Sequence, residues 1–276
     1  MSEGLPVSPL LMRTALFVPG NRPERFAKAL ASGADGVIVD FEDAVADADK
    51  PQARQHLAAF LAQHPQQRVL VRVNAAGHGE HEADLQLCRE LPGVAGVLLP
   101  KAESAAQVQN AAATGKPVWP IIESARGMLA LESIAACSGV ARLTFGALDL
   151  ALDLGFDAQS AGAVSLFDQT RFALLLHSRV NALAPPLDSV YPAFSDDAGL
   201  ALAMRRSRDM GMGGALCIHP RQVPVVHGAM AASAEQRAWA QRVVEAAAGG
   251  AAAFEVDGQM VDAPVLGRAR RILAGG

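Results

Sequence analysis

Eight short apolar runs, with a stretch of helical spacing between each and the next, constrain this chain more than any other feature. They are Thr14–Val18, Gly36–Phe41, Arg68–Val73, Val94–Leu99, Val118–Ile122, Arg142–Phe145, Leu187–Tyr191 and Gly214–Ile218. A parallel strand buried on both faces reads as such a continuous run. Between them, Arg22–Ala31, Pro51–Gln63, Ala83–Glu90, Ser104–Ala113, Gly127–Ala136, Leu166–Leu183 and Asp197–Met210 read as helices. Leu150–Ala163 reads as an insertion, with Gly155 and Asp157 as turn residues. Eight strands alternating with helices predict a (β/α)8 TIM barrel of the α/β class. A doubly wound open sheet is the competitor. Eight regular units close more naturally than they stay open, and no G-x-G-x-x-G follows the first run.

The predicted barrel domain covers residues 1–230, and residues 231–276 form a small C-terminal helical extension. In the extension, Ala234–Ala248 is an Ala-rich helix carrying Trp239, broken by Gly249-Gly250. Phe254–Val261 suggests a hairpin about Asp257-Gly258, and Asp262 stands near the N-cap of a last helix. The extension looks too small to own a core, so it is expected to pack on the barrel or on a neighbouring subunit.

With 276 residues, 51% of them apolar and 19% charged, there is ample material for a core. A net charge of -4 gives no basic footprint for nucleic acid. The start, Met1 to Pro9, lacks a basic region followed by an apolar core, so no signal peptide is expected. No apolar stretch reaches the ~18 residues of a spanning helix, so no membrane partner is expected. Cys88, Cys137 and Cys217 are odd in number and dispersed, without a C-x-x-C pair. That usage suits a reducing, cytoplasmic setting.

Polar groups collect at the strand ends, where barrel enzymes carry their chemistry. Val118–Ile122 runs into Glu123, and Leu143–Phe145 leads to Asp149. Both are hard oxygen ligands, and Mg2+ takes one or two protein carboxylates and leaves its other positions to water and substrate. Strand-end acids that cap helices or meet lysines are the equal alternative. Side-chain alternation puts Asp40 with Glu42 on one face and Arg72 with Asn74 on another. Arg72 lies among Val69, Leu70, Val71 and Val73, so it needs an anionic partner. Glu42 or Glu123 would serve in an internal ion pair, and a bound oxyanion would serve equally. Lys101 closes the fourth strand, either as a charged member of an ion network or as a Schiff-base lysine. His78 and His81 could ligate a transition metal but read more readily as incidental loop histidines, and His219-Pro220 suits helix positioning and chemistry equally.

Taken in order, several segments carry a resemblance. They are Arg13-Thr-Ala-Leu-Phe-Val-Pro-Gly-Asn-Arg-Pro-Glu-Arg25, Val39-Asp-Phe-Glu-Asp-Ala-Val45, Val71-Arg-Val-Asn74, Leu99-Pro-Lys101, Ile122-Glu-Ser124, Phe145-Gly-Ala-Leu-Asp149, Ile218-His-Pro220 and Met260-Val-Asp-Ala-Pro264. Together the chain resembles the citrate lyase beta-subunit-like branch of the HpcH/HpaI aldolase family. The resemblance implies a Mg2+-dependent C–C lyase acting on an acyl-CoA, usually a homotrimer or a hexamer of trimers. By the same resemblance Glu123 and Asp149 match metal ligands, and Glu42 and Asp43 match carboxylates that hold metal-bound waters. Arg72 matches the substrate-binding arginine. Asn21, Arg22 and Lys28 lie on a segment near the coenzyme A phosphates in related enzymes. Asp262 matches a tail aspartate that reaches an adjacent subunit's active site and handles the proton. Two departures stand out. The common Asp-Leu-Glu-Asp is Asp40-Phe41-Glu42-Asp43, and the lysine frequent before Ile-His-Pro is missing from Gly213-Gly214-Ala215-Leu216-Cys217.

The expected reaction is reversible cleavage of citramalyl-CoA or malyl-CoA to a 2-keto acid and acetyl-CoA. A malyl-CoA thioesterase, a CoA-independent keto-acid aldolase, and a citrate lyase beta subunit working with an acyl-carrier partner are the alternatives.

Overall fold

A computed structural model describes residues 12–249 and 253–274. The front of the Pro-containing N-terminal arm and Gly275-Gly276 lie outside them. Eight parallel strands close into one barrel in sequence order: β1 (Thr14–Pro19), β2 (Gly36–Asp40), β3 (Val69–Arg72), β4 (Val94–Leu99), β5 (Val118–Ile122), β6 (Arg142–Phe145), β7 (Ala184–Asp188) and β8 (Gly214–Cys217). β8 returns to pair with β1, with Thr14 opposite Ala215 and Leu16 opposite Cys217. The expected (β/α)8 barrel is therefore the observed fold.

The helices are α1 (Phe26–Leu30), α2 (Lys50–Gln63), α3 (His81–Glu90), α4 (Ala105–Ala112), α5 (Ala125–Leu129), α6 (Leu131–Ala135), α7 (Ala147–Leu154), α8 (Ala161–Val180), α9 (Asp197–Met210), α10 (Gln222–Met230), α11 (Ala234–Ala246) and α12 (Ala263–Leu273). Inside the barrel, Met12, Ala15, Ile38, Leu70, Leu98, Trp119, Ile121, Leu187 and Leu216 pack into one apolar plug. Side-chain period two then carries Arg72 one step above Leu70, and Glu123 one step above Ile121. The strands so lift a ring of polar groups to the C-terminal rim.

Several expectations about the elements need correction, among them the single helix Gly127–Ala136, which is two, α5 and α6. The seventh strand is Ala184–Asp188 rather than Leu187–Tyr191. Pro185 and Pro186 weigh against a strand because they offer no N–H. Here the Pro186 carbonyl still serves the ladder, accepting from Gly213 N–H at 2.8 Å. The segment Leu150–Ala163 is not irregular. It holds the end of α7, whose C-cap is Gly155 at φ +75°, and the start of α8 under a Ser160 cap. Lastly, α10 follows β8 where no helix was expected.

The chain divides into two compact units at His227/Gly228. The second has a small core after all: Ala240, Val243, Val256, Val261 and Ala269 are buried together, with Trp239, Phe254 and Ile272 against them. A Ser233–Gln236 capping box opens α11. The strands Phe254–Val256 (β9) and Gln259–Val261 (β10) form the expected hairpin, and Asp257 and Gly258 at its turn have positive φ. No helix among the described residues is long and apolar enough to cross a membrane.

Candidate active site

The rim is organised around a partly buried guanidinium. Arg72 ends β3 and forks onto Asp40 of β2, with Nε to Oδ1 at 2.7 Å and Nη2 to Oδ2 at 2.6 Å. Its Nη1 lies 2.8 Å from Glu42 Oε2 and 3.8 Å from Asp43. The guanidinium also sits 4.9 Å from the centroid of the Phe17 ring on β1. Burial works against its charge, but Asp40, Glu42 and Asp43 outweigh burial and raise its pKa. Of the two expected carboxylate partners, Glu42 is one and Glu123 is not. The principal partner is Asp40, two residues earlier on the same face. Asp40 also accepts the N–H of Glu42 at 3.0 Å and of Ala44 at 3.3 Å, so it shapes the loop that carries the next two acids.

That loop has a second support. Lys50 is only 3% exposed, and its ammonium donates to the carbonyls of Phe41 and Glu42, each at 2.9 Å. Glu42 is then held from three directions, because Lys101 Nζ reaches its Oε1 at 2.5 Å. Burial raises the Glu42 carboxyl against the pull of Arg72 and Lys101. For Lys101, partial burial is outweighed by Glu42, Glu123 and Asp43, which raise its pKa and keep it charged. This is the ion-network role and not that of a neutral Schiff-base amine.

Glu123 follows β5 and is 5% exposed. Its Oε1 accepts the Lys101 N–H at 2.7 Å. Lys101 makes that bond with φ at +48°, an uncommon conformation for a residue with a side chain. Gly146, at the end of β6, gives the carboxylate its space, since a Cβ there would fall 2.1 Å from Glu123 Oε2. Burial, then the charge of Glu42, push the Glu123 carboxyl up to about 7 against the Lys101 N–H and ammonium, with Asp149 adding to the rise. Asp149 stands half-buried in the first turn of α7.

Among the described residues no cation forms an ion pair with the buried Glu123, and Asp149 is near enough to raise its pKa, which suits a hard cation that takes few protein carboxylates. Among the described residues no three His, Cys, Asp or Glu side chains converge, so the donor set does not suit a closed tetrahedral site.

The other expected residues are more dispersed. Asn21 Nδ2 donates to Asp49 at 3.4 Å, Arg22 pairs with Glu24 at 2.6 Å, and Lys28 is exposed on α1. Asp262 caps α12 in the second unit, its Oδ1 accepting from Val265 N–H at 3.3 Å. His81 is not an exposed loop histidine. It is 2% exposed, and its Nδ1 lies 2.7 Å from the Asn74 carbonyl. Asn74 in turn donates twice to the buried Asp84, which pairs with Arg54 at 2.8 Å. Sequence spacing gave no sign of this network, because its partners meet only when α3 docks beside β3.

The HpcH/HpaI aldolase/citrate lyase family profile matches residues 13–220, which spans all eight barrel strands and the rim groups from Asp40 to Asp149. The chain belongs to this family. A citrate lyase subunit beta-like protein of Mycobacterium tuberculosis is 41% identical over 264 residues, covering 94% of this chain and 93% of the relative. A (3S)-malyl-CoA thioesterase of Cereibacter sphaeroides is 33% identical over 277 residues, covering 95% and 93%. Among solved structures, the protein CitE of Mycobacterium tuberculosis in complex with magnesium, acetoacetate and coenzyme A superposes with a TM-score of 0.86. That match has 38% identity and covers 96% of this chain and 98% of the other. Family membership and the closed barrel agree with the expectations from sequence.

Proposed function

We propose that this protein is a cytoplasmic Mg2+-dependent lyase that cleaves a 3-hydroxyacyl-CoA, such as citramalyl-CoA or malyl-CoA, to a 2-keto acid and acetyl-CoA. The observation that carries this reading is the buried Glu123 carboxylate beside Asp149, one strand end away from the Glu42–Lys101–Arg72 network. The magnesium, acetoacetate and coenzyme A bound by the similar CitE support it.

Glu123 and Asp149 would hold the ion, which when bound supplies Lewis acidity to the oxygen that becomes the ketone. Glu42 and Asp43 orient water at the edge of the site and receive through it the proton of the substrate hydroxyl. The bond between the α and β carbons breaks, and its electron pair passes into the thioester as an enolate. Arg72 stabilises that enolate oxygen. Its orientation is fixed in advance by Asp40, and the water-poor rim strengthens the interaction. Asp262 of a neighbouring copy then protonates the α carbon and releases acetyl-CoA, as a general acid. Asn21, Arg22 and Lys28 bind the coenzyme A phosphates at the edge of the mouth. The trans role of Asp262 needs an oligomer, which by the family resemblance is a homotrimer, or a hexamer of trimers.

Gly146→Ala tests the acid pair. The new methyl must displace the Glu123 carboxylate, and Mg2+ affinity measured calorimetrically is expected to fall about 10–100-fold with the fold retained. Unchanged affinity would mean that Glu123 is not a ligand.

The thioesterase is the second reading, favoured by the 33% identity to (3S)-malyl-CoA thioesterase. The two differ in whether an enolate forms. Incubated in D2O with Mg2+, acetyl-CoA and pyruvate or glyoxylate, the lyase washes deuterium into the acetyl methyl group, read by mass spectrometry. Unlabelled acetyl-CoA in that incubation, together with hydrolysis of added malyl-CoA to malate and free CoA, would put the thioesterase in its place.

A further inference from the structure

Asp149 sits on a helix that does not cap itself. Gly146 precedes α7 and has no side chain to satisfy the first N–H groups. The N–H of Ala147, the first residue of α7, donates instead to Oγ of Ser189 at 2.9 Å. Ser189 follows β7 directly and is 6% exposed. Its own N–H donates to Asp188 Oδ1 at 2.8 Å, and Asp188 Oδ2 accepts from Arg171 Nε at 2.9 Å. Arg171, on α8, also lies 5.7 Å from the ring centroid of Phe145, the last residue of β6. One arginine so touches the ends of both β6 and β7, and the Ser189–Ala147 bond joins the two chain segments just beyond them.

We propose that Ser189 is a positioning residue for the cation site: its hydroxyl oxygen caps α7 from a remote strand end and thereby fixes Asp149, two residues further along the first turn. The proposal rests on the reading that Glu123 and Asp149 hold a divalent cation. Without the hydroxyl, the Ala147 N–H loses its acceptor at a partly buried position, and the first turn of α7 is free to shift. Groups that orient a metal ligand set affinity without touching the ion, typically by 10–100-fold.

The test compares wild type with Ser189→Ala, Ser189→Thr and Ser189→Val. Threonine and valine have nearly the same shape and differ in the hydroxyl. Mn2+ is the probe, its free fraction read by electron paramagnetic resonance, with Mg2+ affinity obtained by competition. Ser189→Thr is expected to bind as wild type does, and Ser189→Ala and Ser189→Val about tenfold or more weakly. Turnover should follow the same split. The Mg2+ concentration for half-saturation rises in the Ala and Val variants, while kcat at saturating Mg2+ is kept. Equal Mn2+ affinity in the Thr and Val variants would overturn the proposal. So would a Val variant that unfolds where the Thr variant folds, since Ser189 would then be structural. Wild type that binds no Mn2+ would overturn the cation reading and this proposal with it, which separates the two failures.

Discussion

Glu123→Gln is expected to lower kcat by roughly 10³-fold or more, because it removes one of the two carboxylates proposed to hold an ion that would supply several kcal/mol to the transition state. The variant should fold. Glutamine keeps an oxygen that can accept the Lys101 N–H, and it removes a charge that the surroundings disfavour. Its stability gives an independent check. In the metal-free wild type the folded carboxyl, at about 7, keeps its proton where the unfolded chain, near 4.5, has lost it. The folded state binds more protons in that window, so wild-type stability falls as pH rises from about 4.5 to about 7, by ~3 kcal/mol at most. Glu123→Gln should lack this component of the slope in chemical denaturation followed across pH. By the same linkage, Mg2+ must displace that proton below about 7, so its apparent affinity should drop as pH falls there. A pH-independent affinity together with an active Gln variant would remove Glu123 from the site.

Asp262→Asn is the second large effect. Asparagine caps a helix about as well as aspartate, so α12 should keep its start and the second unit its stability. What it cannot do is deliver a proton as a carboxylic acid. Turnover of the acyl-CoA is expected to fall roughly 10²–10⁴-fold, with Mg2+ and pyruvate binding retained in calorimetry. Asp262→Ala should lose the same activity and about 1 kcal/mol of stability besides, through the lost cap. Full activity in the Asn variant would end the proton role and leave Asp262 as a cap alone.

Much of this molecule is legible before any coordinates. The eight apolar runs give the barrel because burial on both faces leaves no room for polar alternation within a strand. Asp40 and Glu123, at the ends of β2 and β5, follow from the same periodicity, since the residue one step above the apolar plug must be at the rim. What escapes the sequence is partner choice. Arg72 plainly needed an anion, yet only the register of β2 against β3, with Asp40 opposite Arg72, selects Asp40 over Glu123. The prolines of β7 hide a strand because their cost depends on whether a neighbour asks for the missing N–H, which is a tertiary question. His81 looks like loop polarity until its ring meets the Asn74 carbonyl. Lys101 gives no sequence sign of its positive φ, and the Ser189 cap joins residues 42 positions apart.

The most direct measurement is product analysis with citramalyl-CoA and then malyl-CoA, with Mg2+ and with a chelator, following keto acid, acetyl-CoA and free CoA separately. The account predicts pyruvate or glyoxylate in equal amount to acetyl-CoA, abolished by the chelator and restored by added Mg2+. Free CoA with an intact hydroxy acid and no keto acid would contradict it.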